Sequence, residues 1–173
     1  SEKQAQYLKN IRSECRRMAA LVGDMLLLAS TDAGSWSIKQ ETVDMDTLLI
    51  ETYELFEPVC QNSQVRLFLD LPEETLPHVT GDASCLKQLL TILLDNAVSY
   101  TPANKKITIS AAVKGKEMTI CVADQGCGIP ADVRAHIFDR FYRGDTSRTD
   151  KRHFGLGLSI AKELTTLHGG RIS

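Results

Sequence analysis

From Leu8 onward apolar residues return at Leu8, Ile11, Cys15, Met18, Val22, Met25 and Ala29, an unbroken alternation of three and four. That spacing predicts one long helix carrying a coiled-coil seam over three heptads. Leu21 and Leu28 widen the seam, while Glu14, Arg16 and Arg17 fall outside it. An amphipathic helix lying on its own domain would share part of this pattern. The strict spacing, with no core before it, favours a partner helix outside the chain. Ala33-Gly34-Ser35 ends the helix, Trp36 to Val43 reads as an extended connection, and Asp44 is the N-cap of the next helix.

Residues 45–61 predict that second helix, with Leu48, Leu49, Thr52, Leu55, Phe56 and Val59 on one side. Val65 to Leu71 alternates as a strand, and Leu76 to Thr80 is a second, shorter one. Gly81-Asp82 starts a strongly apolar helix through Tyr100, capped by Asp82. Lys106 to Val113 and Met118 to Asp124 form an antiparallel pair turning at Lys114-Gly115-Lys116, expected at the centre of the sheet. A short helix follows Pro130. The polar stretch from Arg140 to His153 then has the length of a lid or a disordered segment. A last helix runs from Gly155 to His168, Gly169-Gly170 stops it, and Arg171-Ile172-Ser173 would begin another strand.

A chain of 173 residues with 43% hydrophobic content can bury one main core and carry a smaller appendage. The net charge of −2 argues against nucleic acid as a partner recognised by bulk basicity. Cys15, Cys60, Cys85, Cys121 and Cys127 are odd in number and form no C-x-x-C pair, so they read as reduced thiols of a cytosolic protein, not a zinc site. No run approaches the roughly 18 apolar residues a membrane helix needs, and residues 1–10 lack a signal-peptide core. Membrane anchoring of a longer parent is left open by these residues.

The chemistry concentrates in Asp124-Gln125-Gly126-Cys127-Gly128-Ile129-Pro130 and, downstream, Gly155-Leu156-Gly157-Leu158. Asp124 ends an apolar strand, where a carboxylate needs a partner such as the amino group of a base. Glycines at 126 and 128 let the backbone turn and approach a ligand plane. Gly155 and Gly157 would leave N–H groups free at a helix start, which suits phosphate. Together they read as two glycine hinges of a nucleotide pocket.

With Asn96 on the preceding helix, the chain resembles the sensor histidine kinases of two-component systems, which carry a GHKL-type ATP-binding domain. L-L-D-N-A-V-S-Y-T-P at 93–102 resembles their N box, D-Q-G-C-G-I-P at 124–130 the G1 box, F-D-R-F-Y-R at 138–143 the F box, and G-L-G-L at 155–158 the G2 box. The resemblance implies an α+β fold, a two-layer sandwich whose mixed, mainly antiparallel sheet is covered on one face by helices and preceded by a long coiled-coil-type helix. It makes residues 1–34 the second helix of a dimerisation hairpin, 35–43 a linker, and 44–173 the ATP-binding domain, with the last strands lying beyond Ser173.

The resemblance also implies ATP and Mg2+ as cofactors. It makes Asn96 the magnesium ligand and Asp124 the acceptor of the adenine amino group. Gly126, Gly128, Ile129, Gly155, Leu156, Gly157 and Leu158 then line the nucleotide. Tyr100 borders the nucleotide or caps its helix in the core, and Arg140 and Arg143 are either lid surface or phosphate contacts. Phe138 and Phe141 are expected to anchor the lid to the core. The implied partners are the chain's own dimerisation hairpin, a second protomer and the receiver domain of a response regulator.

Two departures from the family pattern limit this. Ile92 stands where members usually have a polar side chain, often a second Asn, and Ser99 where many have a lysine able to meet a phosphate, which predicts weaker nucleotide binding or slower transfer. None of His78, His136, His153 or His168 is followed by an acidic residue on a helix of the right kind, so the phosphoacceptor lies outside this chain and the chain alone should not phosphorylate itself. His136 and His168 read as structural. A non-catalytic ATP-binding regulatory module of the same fold is the alternative, and an ATPase or serine kinase is disfavoured by the seam before the domain.

Overall fold

The computed structural model describes residues 2–142 and 155–173. Helix α1 (Glu2–Asp32) leads into β1 (Glu41–Val43), α2 (Met45–Asn62), β2 (Arg66–Asp70), β3 (Val79–Gly81) and α3 (Ala83–Tyr100). Strands β4 (Lys106–Lys114) and β5 (Glu117–Asp124), the single turn α4 (Ala131–Arg134) and helix α5 (Gly157–Leu167) follow. Among the described residues no helix is long and apolar enough to cross a membrane.

The three-stranded sheet runs β2-β4-β5, with β2 parallel to β4 and β5 antiparallel to it. Gly115, at φ +63, makes the tight turn between β4 and β5. Only β4 is central among the described residues; β5 is an outer strand here, because residues 171–173 form no ladder with it. The expected strand at 76–80 starts later and joins neither: β3 pairs with β1 in a separate two-stranded ladder, Val43 opposite Val79. The last three residues of the expected linker are therefore built into the domain.

Helices α2 and α3 cover one face of the sheet. Leu49, Phe56, Leu94, Ile107 and Ile109 are among the side chains buried between them. The buried stripe of α2 is Met45, Leu48, Leu49, Thr52, Phe56 and Cys60. Leu55 and Val59, expected on that side, are exposed, because the stripe follows a 3.6-residue period that reaches Cys60 instead. Burial raises the Cys60 thiol above its ordinary pKa, as it does for Cys85, so neither is a ready nucleophile.

Helix α1 packs on its own domain with one face and leaves another exposed. Leu27 and Leu28 are buried in a second cluster with Cys85, Leu156, Ile160 and Leu164, so the C-terminal part of the helix packs on α3 and α5. The heptad seam itself is bare: Leu8 is 67% exposed, and Ile11, Cys15, Met18, Val22 and Met25 are exposed too. Asp24, half-buried on the helix, has its pKa raised by desolvation. Trp36 lies in the second cluster with a buried indole N–H that meets no acceptor among the described residues.

Asp44 caps α2 through the N–H of Thr47. Asp82 accepts from the N–H groups of Ser84, Cys85 and Lys39. Burial opposes its charge, but these donors outweigh it and hold the carboxyl below its ordinary pKa. The stabilisation from a depressed carboxyl is present above the unfolded value near 4 and is lost as pH falls through the folded value. We expect Asp82→Ala to cost about 1–2 kcal/mol at neutral pH. In urea titrations this penalty should shrink towards pH 3.

Candidate nucleotide site

Helix α3 carries the stripe Ile92, Asn96, Tyr100 at four-residue spacing, one face of a helix. At its end, the backbone of Gly126 lies so close to the Tyr100 carbonyl that an added Cβ would sit 2.6 Å from that oxygen. Four residues before Asn96, an added Cβ on Gly157 would be 3.3 Å from Ile92. Asn96 thus sits between the two glycine segments. Its side chain is half-buried, and no hydrogen-bond partner for its carboxamide is found among the described residues.

Asp124 ends β5 opposite Ile107. Its Oδ1 accepts from the Gly126 N–H at 2.7 Å, which fixes the carboxylate and leaves Oδ2 for a donor from outside. Gln125 Oε1 accepts from Lys106 N at 3.1 Å and ties the loop to the start of β4. Gly128 has φ +72, a conformation other residues resist, and Ile129 beside it is largely exposed. Tyr100 is exposed at the helix end, so it is no part of the core.

The downstream segment divides. Gly155, at φ +74, precedes α5, and its carbonyl accepts from Phe141 N at 2.8 Å. Helix α5 begins at Gly157, later than expected, with Leu156 at its cap. Leu156 is buried in the second cluster, so its side chain packs the core and only its backbone can face a ligand. Leu158 is half-buried. Ile92 belongs to the same cluster, which supplies an apolar reason for the residue there. Ser99 is also half-buried on α3.

Arg140 has other partners than phosphate. Its guanidinium binds both oxygens of Asp32, the last residue of α1, at 2.6 Å each, and Glu163 of α5 at 3.6 Å. The Arg140 hydrogen bonds and charge hold the Asp32 carboxyl below its ordinary pKa. Phe141 departs from its expected anchoring role: it is 58% exposed at φ +61 and borders a groove of about 160 Å³ with Met25, Leu28, Ala29, Asp32 and Arg140. Phe138 is half-buried. Arg143 lies outside the described residues, as does most of the expected lid, His153 included.

The histidines at 136 and 168 have structural settings. His136 Nδ1 is 2.8 Å from Asp139 and its ring meets Tyr142. His168 accepts from Asp82 N at Nε2, so Nδ1 carries the proton that it donates to the Leu164 carbonyl. Among the described residues no group of three His, Cys, Asp or Glu side chains could hold a metal. An accessible carboxamide such as Asn96 fits magnesium only in its usual setting beside phosphates, with most ligands supplied by nucleotide and water.

Residues 81–173, just over half of the chain, match the family described as histidine kinase-, DNA gyrase B- and HSP90-like ATPases. The chain belongs to this family. The sensor protein DivL of Caulobacter vibrioides is 33% identical over 173 residues, covering 100% of this chain and 22% of DivL. The sensor histidine kinase WalK of Bacillus subtilis is 34% identical over 169 residues, covering 96% of this chain and 27% of WalK. In structure, full-length ShkA, solved in complex with AMPPNP, superposes with a TM-score of 0.82 at 29% identity, covering 96% of this chain and 34% of ShkA. The chain thus spans about a quarter of these two curated relatives and a third of ShkA. The likeness to sensor histidine kinases read from the four boxes is borne out, and with it the α+β fold with a mixed sheet and a long leading helix.

Proposed function

We propose that this chain is the ATP-binding catalytic domain of a two-component sensor histidine kinase, joined to the second helix of its dimerisation hairpin. The observation that carries the proposal is the carboxamide of Asn96, without a hydrogen-bond partner among the described residues and held by α3 between the Asp124–Gly128 loop and the start of α5. Asp124 Oδ2 would take the adenine amino group, with Gly126, Gly128 and Ile129 against the base. Backbone N–H groups at Gly155 to Leu158 would face the phosphates. Magnesium, bound by Asn96 together with phosphate and water, would offset the charge that develops on the transferred group. The N-terminal helix would occupy residues 1–34 and its connection 35–40, with β1 joined to a domain of 41–173 through its pairing with β3.

Transfer needs a nucleophile aligned with the γ-phosphate, and it would come from a histidine on a helix outside this chain. The phosphoryl group would then pass to a response-regulator receiver domain, with the domain on the cytoplasmic side. Mixing the chain with Mg-ATP and a separate hairpin bearing a histidine before an acidic residue should yield acid-labile, base-stable phosphate on that hairpin. ATP binding without label under any pairing would instead identify a regulatory module, the reading that Ile92 favours because it can neither bind metal nor move a proton.

Ile92→Asn should raise ATP affinity if the missing polar side chain weakens the site. The same change places an amide in the second cluster and should lower stability by about 1–3 kcal/mol. Calorimetric ATP titration beside a urea melt separates the two effects. Stability loss with no gain in affinity would remove Ile92 as the cause of weak binding.

A further inference from the structure

The sheet has an outer edge at β2 that the nucleotide site does not use. Arg66 N donates to Lys105 O, so Arg66, Phe68 and Asp70 turn their backbone groups towards β4. Leu67 and Leu69 turn theirs outward, and those groups have no backbone partner among the described residues. Phe68 is 45% exposed on the open face, between Arg66 and Asp70, neither of which forms an ion pair among the described residues. On the other side of the edge a groove of about 240 Å³ is lined by Glu57, Gln61 and Val65 to Phe68.

The sequence of this strand, Arg-Leu-Phe-Leu-Asp, complements itself when reversed. We propose that β2 pairs antiparallel with β2 of a second copy of this chain, about a twofold axis through Phe68. Arg66 then faces the partner's Asp70 and Phe68 faces the partner's Phe68. Leu67 faces the partner's Leu69 and exchanges the outward N–H and C=O groups with it. The geometry is consistent at each position: Leu67 and Leu69 make the hydrogen-bonded pairs. Phe68 falls in a pair without hydrogen bonds, where side chains approach most closely.

Centring the pair on Arg66 or Asp70 instead would set like charges opposite each other, so the charges select this register. The groove beside Glu57 and Gln61 leaves that side of the edge uncovered. Gln64, at φ +56, and Pro72 bound the strand and keep the pairing short. Such an interface is smaller than the roughly 1,200 Å² of a stable complex, so it is transient and best trapped covalently. The nucleotide loop follows β5 at the opposite edge and stays open.

The test is mild oxidation of the whole chain carrying Phe68→Cys, with linkages located by mass spectrometry because Cys15, Cys121 and Cys127 are also exposed. A Cα separation of about 4.5 Å across such a pair lies within disulfide range. The 68–68 link should form about tenfold more than a 108–108 link from Thr108→Cys, which lies on the same face of the covered strand β4. Adding Arg66→Asp should lower the yield about tenfold, and Arg66→Asp with Asp70→Arg should restore it. ATP affinity should be unchanged throughout. The proposal is overturned if 68–68 does not exceed 108–108, or if the charge swap fails to restore the link. It is also overturned if Val22→Lys on the bare α1 seam abolishes it, since encounter would then belong to the helix.

Discussion

Gly126→Ala is expected to weaken ATP binding by about 10- to 100-fold while leaving the fold intact. The added methyl would meet the Tyr100 carbonyl at 2.6 Å and Asp124 Oδ1 at 2.7 Å. The carbonyl cannot retreat easily, because α3 is closed by Thr101, whose N–H and Oγ1 both donate to the Ala97 carbonyl. The loop must therefore move, and it carries Asp124 with it through the Gly126 N–H. Loss of one hydrogen bond to a charged group accounts for that range of affinity. Calorimetric titration gives the affinity, and a thermal melt should show a cost of about 1–3 kcal/mol for the crowding.

Gly81→Ala should destabilise the domain by about 1–3 kcal/mol for a different reason. Here the methyl would lie 2.6 Å from Cδ2 and 2.9 Å from Nε2 of His168. The ring cannot swing away without losing its bonds to Asp82 N and the Leu164 carbonyl. Those bonds tie the end of α5 to the junction of β3 and α3, and so hold together the two helices that flank the proposed site. His168→Ala alone leaves the Asp82 N–H without that acceptor. In a His168→Ala background, however, Gly81→Ala should cost much less than in the native chain. A double-mutant cycle by urea denaturation measures the coupling, and additive costs would show that the ring is not what Gly81 makes room for.

Much of this was legible in the sequence because local chemistry decided it. Asp44 and Asp82 cap the helices they were expected to cap, and the β4–β5 turn falls at Gly115. The four boxes identified the family. Tertiary partners were not legible. The exposure of Leu55 and Val59 depends on which side of α2 meets the sheet, and the seating of β3 on β1 depends on a connection whose path no local pattern specifies. From its box alone Arg140 reads as either lid surface or a phosphate contact. Its pairing with Asp32, 108 residues earlier in the chain, depends on where α1 lies against the domain. The heptad seam led to the expectation of a partner helix outside the chain, but not that Leu27 and Leu28 would be occupied by α5.

The most direct measurement is a calorimetric titration of the chain with ATP and with GTP, repeated on Asp124→Asn. Guanine presents an oxygen where adenine presents its amino group, so a carboxylate there faces a second acceptor. The account predicts saturable ATP binding at one site, GTP weaker by about 100-fold or more, and loss of that discrimination in Asp124→Asn. Equal affinity for the two nucleotides in the native chain, or ATP binding unchanged by Asp124→Asn, would contradict it.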